Sequence, residues 1–266
     1  MKCKKCKRSA VLTNPSFCRD HFIDYFERTA LDTIRHYKLF TKNDRLCVAV
    51  SGGKDSMSLL YIINKYFKNV VALAIDEGIA GYRPHTLRHL KRFCTAHNIP
   101  LKVLSFKERT GKTLDQWMKK EKHPCSVCGV YRRKLLNEGA KGFDVLALGH
   151  NLDDEAQTVL MNLCTFKPDL MHVQLPKSPK SENFVPRVKP FCFLKEKEVL
   201  LYAVLLGISP SFVECPYMHE ALRNDARDAL NAHELERPGS KARLYEAHLE
   251  VVQTFLSKDG RGVLHA

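Results

Sequence analysis

Four short apolar runs rich in β-branched residues, at 45–50 (RLCVAV), 70–75 (VVALAI), 101–106 (LKVLSF) and 144–149 (DVLALG), alternate with helix-patterned segments at about 56–67, 83–97 and 126–139. This rhythm constrains the chain more than any other feature. Strands joined by helical crossovers pair in parallel, with the helices packed on both faces of the sheet. The fold class is therefore α/β. With 266 residues, 44% of them apolar and 27% charged, the chain has the composition of a globular protein rather than a disordered one. No apolar run approaches the ~18 residues of a membrane span, and the start, MKCKKCKRSA, lacks the apolar core of a signal peptide. A cytoplasmic protein without a membrane partner is expected.

Three regions separate by composition. Residues 1–21 are basic, carry cysteines and are too short for a core. Residues 22–190 hold the alternating segments, led by a linking helix at 22–40 that places Phe22, Tyr25, Phe26, Ala30, Thr33, Ile34 and Tyr37 on one stripe. The stretch from Pro168 to Pro190 contains five prolines without periodicity and reads as a loop. Residues 191–266 form a C-terminal helical region, with helices near 195–206 and 241–257. No internal repeat is present.

The first apolar run passes directly into SGGKDS and then a helical pattern. Gly52 and Gly53 let backbone N–H groups approach a phosphate, and the helix aims its positive end at the same place. Ser51 and Ser56 supply hydroxyls, Lys54 a point charge, and Asp55 a helix cap or a magnesium-side carboxylate. The spacing is neither that of a Walker loop nor of a G-x-G-x-x-G dinucleotide turn. It resembles the PP-loop, SGGxDS, of enzymes that cleave ATP between the α and β phosphates. The nucleotide then lies across the C-terminal ends of the strands, where backbone groups at Ala49 and at Ile75–Asp76 meet ribose and adenine. A second signature, GHNLDDEAQTVLMN at 149–162, follows the fourth run. It brings Gly149 to the same edge, offers Asn151 or Asp153 as a helix cap, and turns Asp154 toward phosphates and a metal.

Lysine and arginine outnumber the acids by 43 to 29, a formal charge of +14 that favours a polyanionic partner, nucleic acid first. Ten cysteines without an export signal read as metal ligands or reactive thiols rather than disulfides. Cys3, Cys6, Cys18 and His21 have the paired spacing of a closed, structural Cys3His zinc site. Such a knuckle gives the first 21 residues a reason to be ordered. Cys125 and Cys128 form a second CxxC that opens a helix carrying Arg132, Arg133 and Lys134, a setting that lowers thiol pKa. By spacing alone the pair is a zinc half-site, a redox pair or a cluster site, which Cys215 in VECPY could complete. Cys47, Cys94, Cys164 and Cys192 read as small buried hydrophobes.

Taken together, the finger, SGGKDS, CSVCGVYRRKLLN, GHNLDDEAQTVLMN, RVKPF, ECPY and RPGSK make the chain resemble, over nearly its whole length, the PP-loop tRNA 2-thiouridine sulfurtransferases. These are the TtuA/NcsA group with the cytoplasmic tRNA 2-thiolation proteins. The resemblance implies a Rossmann-like PP-loop sheet with an N-terminal zinc finger and a C-terminal helical tRNA-binding region. It also implies an enzyme that uses Mg-ATP to adenylate the C2 oxygen of a uridine in tRNA and replaces that oxygen with sulfur. In this family the cysteines matching Cys125, Cys128 and Cys215 bind a [4Fe-4S] cluster whose unique iron would carry a hydrosulfide. The sulfur donor is free sulfide or a ubiquitin-like thiocarboxylate, and a homodimer is usual. Asp154 falls in the catalytic set and Arg132 in the nucleotide-binding set. Arg132, Arg133, Arg187, Arg223 and Arg227 are candidate tRNA or phosphate contacts.

Two departures from the family pattern stand out. No cysteine follows Cys215, so the second, C-terminal zinc finger of many members has no counterpart in this sequence. Position 132 is arginine where the uridine-54 branch tends to have lysine, and CGVYRR is closer to the wobble-uridine branch. Thiolation of uridine-54 or cytidine-32, a cluster-independent persulfide mechanism on Cys128 and Cys215, and a non-catalytic RNA-binding role are the competing readings.

Overall fold

The computed structural model describes residues 1–119, 124–165, 170, 174–179, 181, 183–208, 215–217 and 221–258. A hairpin of β1 (Leu12–Thr13) and β2 (Ser16–Phe17) leads into α1 (Arg19–His36). There follow β3 (Leu46–Ala49), α2 (Lys54–Tyr66), β4 (Val70–Asp76), α3 (Arg83–Ala96) and β5 (Leu101–Ser105). Next come two five-residue helices, α4 (Phe106–Thr110) and α5 (Leu114–Met118), then α6 (Pro124–Gly139), β6 (Val145–Ala147) and α7 (Leu152–Cys164). The chain closes with β7 (Arg187–Val188), α8 (Glu196–Leu205), α9 (Ala221–Glu236) and α10 (Ser240–Lys258).

The five strands of the main sheet run in the order β5-β4-β3-β6-β7, and all four pairings are parallel. Alternation along each strand divides the core in two. Leu46, Val48, Ala72 and Ala74 face one side, where the apolar stripes of α1, α2, α3 and α8 cover them. Cys47, Leu73, Ile75 and Leu146 face the other, against α6 and the short helices before it. A third cluster joins α7 to α10 through Leu152, Val159, Tyr245 and Leu249. Buried Phe22, Phe26, Ala30, Thr33 and Ile34 confirm the stripe on α1, and Phe26 stacks on Tyr202 of α8 at 4.2 Å between ring centroids. Tyr25 and Tyr37 lie at its partly buried margin.

The sheet order reverses between β3 and β6, since β4 lies to one side of β3 and β6 to the other. That makes the carboxyl ends of β3 and β6 the topological switch point, where open parallel sheets leave a crevice. SGGKDS leaves β3 and GHNLDD leaves β6 at that crevice.

Three sequence expectations are corrected. The proline-rich stretch contributes a fifth strand, β7, paired to β6 through Leu146–Arg187 and Ala147–Val188. The remainder of 168–190 is partly outside the described residues. Helix α2 starts at Lys54 on a Gly53 N-cap, so Asp55 sits inside the first turn and caps nothing. Cys164, the last residue of α7, is exposed rather than buried, whereas Cys47, Cys94 and Cys192 are buried as expected. Among the described residues, no helix is long and apolar enough to cross a membrane.

Candidate active site

A cavity of about 240 Å³ opens at the switch point, lined among others by Ala49, Ser51, Asp55, Ser56, Ile75, Gly149 and Asp154. No side chain caps α2, so its first turn, of which Asp55 and Ser56 line the cavity, lacks the usual side-chain partner for its N–H groups. Ser51 and Ser56 bond to each other (Oγ–Oγ 3.2 Å), and the Gly53 N–H donates to Ser51 Oγ at 3.2 Å, which fixes the shape of the loop. Gly52 has φ +91°, and a Cβ there would meet the Thr86 carbonyl at 3.0 Å. The loop is thereby pressed against α3, and only glycine fits both demands. At Gly149 a Cβ would lie 3.0 Å from the backbone of Asp55 and Ser56, so the loop after β6 packs directly on the start of α2.

That approach brings two carboxylates together. Asn151 caps α7 by accepting from the Asp154 N–H at 3.1 Å, Asp154 accepts back from the Asn151 N–H at 3.2 Å, and Asn151 Nδ2 donates to Asp55 Oδ1 at 3.0 Å. Burial raises the Asp55 pKa; Lys54 opposes the shift and the charge on Asp154 adds to it. Two like charges that share Asn151 and line one cavity suit a divalent cation with oxygen ligands. Lys54 meets Asp55 at 3.1 Å and Glu196 at 2.9 Å. Arg223 reaches over from α9 to Asp154 (3.3 Å) and Thr158 (3.2 Å).

Next to the cavity lies the sulfur chemistry. Cys128 is 6% exposed within the cluster that holds Leu114 and Leu135, and partly buried Cys215 packs against the same cluster. Tyr217 donates to Asp115 Oδ1 at 2.8 Å and so ties the Cys215 segment to α5. Cys125 occupies the second position of α6, and its side chain lies outside the described residues. Arg132, one turn after Cys128, donates to its Sγ at 3.2 Å and also lines the cavity. A lowered thiol pKa was expected here; instead burial pushes the Cys128 thiol up, although Arg132 counteracts it. Cys128 and Cys215 are soft donors gathered on one apolar cluster with the Arg132 guanidinium beside Cys128, the donor type that an iron–sulfur cluster requires.

The four N-terminal residues also converge. Donor atoms of Cys3, Cys6, Cys18 and His21 all lie within 4.8 Å of one another. Cys3 Sγ and His21 Nδ1 are 3.3 Å apart, Cys18 Sγ and His21 Nδ1 3.4 Å, and the Cys6 and Cys18 sulfurs 3.6 Å. Sulfurs ~2.3 Å from one tetrahedral ion stand ~3.8 Å apart, so the set fits a four-coordinate metal. Burial opposes ionisation of Cys3, yet backbone N–H groups and His21 bring its thiol down to about 5, which favours the ligating form.

The structure thus gathers Ala49, Ser51, Asp55, Ser56, Ile75, Arg132, Gly149 and Asp154 at one cavity. Arg187 is half-buried beside Arg133, and burial followed by that like charge lowers its pKa. Arg227 turns to Asp228 and stays exposed. Sequence reasoning passed over Glu77, Arg83 and His150, which line the same cavity. Their signal was position: Glu77 and His150 directly follow residues read as nucleotide contacts at strand ends.

A PP-loop domain model matches residues 25–214. The tRNA-5-methyluridine(54) 2-sulfurtransferase of Pyrococcus horikoshii is 37% identical over 96% of this chain and 84% of its own length. The cytoplasmic tRNA 2-thiolation protein 1 of Chlamydomonas reinhardtii is 38% identical over 89% of this chain and 70% of its own. Among solved structures, the U34-tRNA thiolase NcsA of Methanococcus maripaludis, with its [4Fe-4S] cluster, superposes with a TM-score of 0.85 at 34% identity, covering 94% of this chain and 87% of that one.

Proposed function

The chain belongs to the PP-loop family of tRNA 2-sulfurtransferases and 2-thiolation proteins, and we propose that it replaces the C2 oxygen of a tRNA uridine with sulfur while cleaving ATP to AMP and pyrophosphate. The observation that carries this reading is Arg132, which lines the nucleotide cavity and at the same time donates to Cys128 Sγ. An activation site and a sulfur site are then one residue apart.

In this reading Ser51, Ser56 and the open N–H groups at the start of α2 hold the phosphates of ATP. Ala49 and Ile75, with neighbouring Asp76, border the nucleoside, and Gly149 keeps the cavity narrow behind it. Gly52 and Gly53 let the loop backbone approach, and Lys54 supplies positive charge from the first turn of α2. The C2 oxygen attacks the α-phosphorus and pyrophosphate leaves; the phosphate loop stabilises the charge that develops there. Asp55 and Asp154 would hold Mg²⁺, which neutralises phosphate charge when bound. Cys125, Cys128 and Cys215 would hold a [4Fe-4S] cluster, which supplies an anionic sulfur close to the activated carbon when bound. Arg132 orients Cys128 and faces the AMP side of the cavity. Cys3, Cys6, Cys18 and His21 would hold a structural Zn²⁺.

Residues 1–21 then act as the zinc module, 22–190 as the ATP-binding catalytic domain, and 191–266 as the tRNA-binding region. The protein works in the cytoplasm as a homodimer, with sulfide or a ubiquitin-like thiocarboxylate as donor. The wobble uridine is the target favoured by CGVYRR; uridine-54 is the second reading, favoured by the Pyrococcus relative that covers 96% of the chain.

The test is thiolation of tRNA by anaerobically purified protein with ATP and sulfide, with and without cluster reconstitution, read by nucleoside mass spectrometry after site-mapping digestion. Thiouridine that appears only with iron, at position 34, is the expected result. Thiouridine without iron means that hydrosulfide attacks the activated carbon directly and displaces AMP, with no sulfur carried on a cluster. None at all from protein that still binds tRNA leaves the RNA-binding reading.

A further inference from the structure

Arg83 is 2% exposed and is the bulkiest fully buried side chain among the described residues. Its Nη1 donates to the Ser51 carbonyl at 2.6 Å and to Thr86 Oγ1 at 3.1 Å, while its Nε lies 3.0 Å from Glu77 Oε2. The other oxygen of the same carboxylate, Oε1, lies 3.0 Å from Arg132 Nε. Arg132 ends on Cys128 Sγ at 3.2 Å. A continuous line of contacts therefore runs from the first residue of the phosphate loop, through Arg83, Glu77 and Arg132, to a cysteine of the sulfur site.

A purely structural ion pair would stop at Glu77 and Arg83, which already neutralise each other. The second guanidinium is half-exposed, and it lines the cavity as well as meeting Glu77. Two arginines on one carboxylate leave one positive charge over, and it faces the sulfur and the cavity. The loop end is also tightly coupled: at Gly52 there is no room even for a Cβ against Thr86, one turn beyond Arg83 on α3. The phosphate loop and the turn that carries Arg83 are thus in direct contact.

We propose that Glu77 is a positioning residue that couples the phosphate loop to the cysteine site, so that a bound nucleotide orders Arg132 and the first turns of α6. This rests on the nucleotide-site reading given above. Glu77 touches no reacting atom; it acts by fixing the distance between Arg83 and Arg132, and hence between the activated oxygen and the sulfur.

Hydrogen–deuterium exchange on the whole protein, with and without α,β-methylene-ATP, tests the link without any cluster chemistry. In the wild type the analogue protects peptides spanning 51–56 and 126–133. In Glu77→Gln the first protection remains and the second is lost; Glu77→Asp restores part of it. Thiolation by the holoenzyme follows suit, with kcat at least about tenfold lower in Glu77→Gln and KM for tRNA within about twofold. If Glu77→Gln does not fold, Arg83→Lys gives the same comparison, since it keeps a cation beside Glu77 but removes the hold on Ser51. Equal protection of 126–133 in wild type and variant overturns the coupling while leaving the nucleotide site intact. Failure to protect 51–56 in the wild type overturns the nucleotide site and the coupling with it.

Discussion

Asp55 and Asp154 come from the first turns of two helices that follow different strands, and Asn151 ties them together by donating to one and capping with the other. Their shared partner and their place on one cavity suit a cation. Burial, and the charge on Asp154, raise the Asp55 pKa above its ordinary value. Folding therefore favours the protonated form of Asp55. The stability this contributes is fully present below the ordinary carboxylate range, about pH 4, and is lost as pH rises through the folded value. At pH 7 the ionised carboxylate costs stability. Asp55→Asn should then melt at or above the wild-type temperature at pH 7, with the difference vanishing near pH 4 in a thermal scan. Its AMP-forming activity should fall at least about 100-fold, since a metal clamp on a transferred phosphoryl contributes several kcal/mol. A variant that melts lower at pH 7, or keeps its activity, would contradict the metal-site role.

The N-terminal module and α1 form one continuous element. Cys18 is the N-cap of α1 and His21 lies in its first turn, so a metal held by these residues clamps the β1–β2 hairpin onto a helix that is itself rooted in the core. Chelation should release residues 1–18 and the first turn of α1 while the sheet persists. Cleavage within 1–18 in limited proteolysis should accelerate at least about tenfold, equivalent to about 1.4 kcal/mol of local stability, with the melting of the remaining domain little changed. Cleavage that is indifferent to chelator would mean the hairpin orders itself. Here the sequence was legible because spacing and donor type carry the constraint. The long elements were legible too: short apolar runs marked β3 to β6, and the stripe from Phe22 to Tyr37 marked α1. Strand β7 was not, because two residues flanked by prolines acquire strand character only by pairing with β6. Helix α9 escaped because ALRNDARDALNAHELE offers only alanine and leucine as apolar residues, and its place is set by packing on α7 and α10 rather than by its own pattern. Helices α4 and α5, five residues each, are too short to show a period.

For the molecule as a whole, the parallel sheet does what no single motif can. It places the loop after β3, the loop after β6 and the Arg132–Leu136 stretch of α6 around one cavity, although more than 90 residues separate Asp55 from Asp154. The motif residues at that cavity could be read from the sequence; the Glu77–Arg83–Arg132 line could not, since ion pairs joining three separate segments leave no local period or spacing. Cys128 shows the same limit: helix position and nearby arginines argued for an acidic thiol, and burial, which only the fold supplies, reversed the direction. The surplus charge of +14 over the whole chain suits a polyanion such as the tRNA backbone. What joins these parts is the claim that ATP activates the uridine oxygen itself, so that the oxygen departs with AMP when sulfur takes its place. Thiolation of tRNA carrying ¹⁸O at C2 of the target uridine, with mass analysis of the released nucleotide, tests this most directly. The account predicts AMP bearing one ¹⁸O for each thiouridine formed. Unlabelled AMP, or ADP, released alongside thiouridine would contradict it.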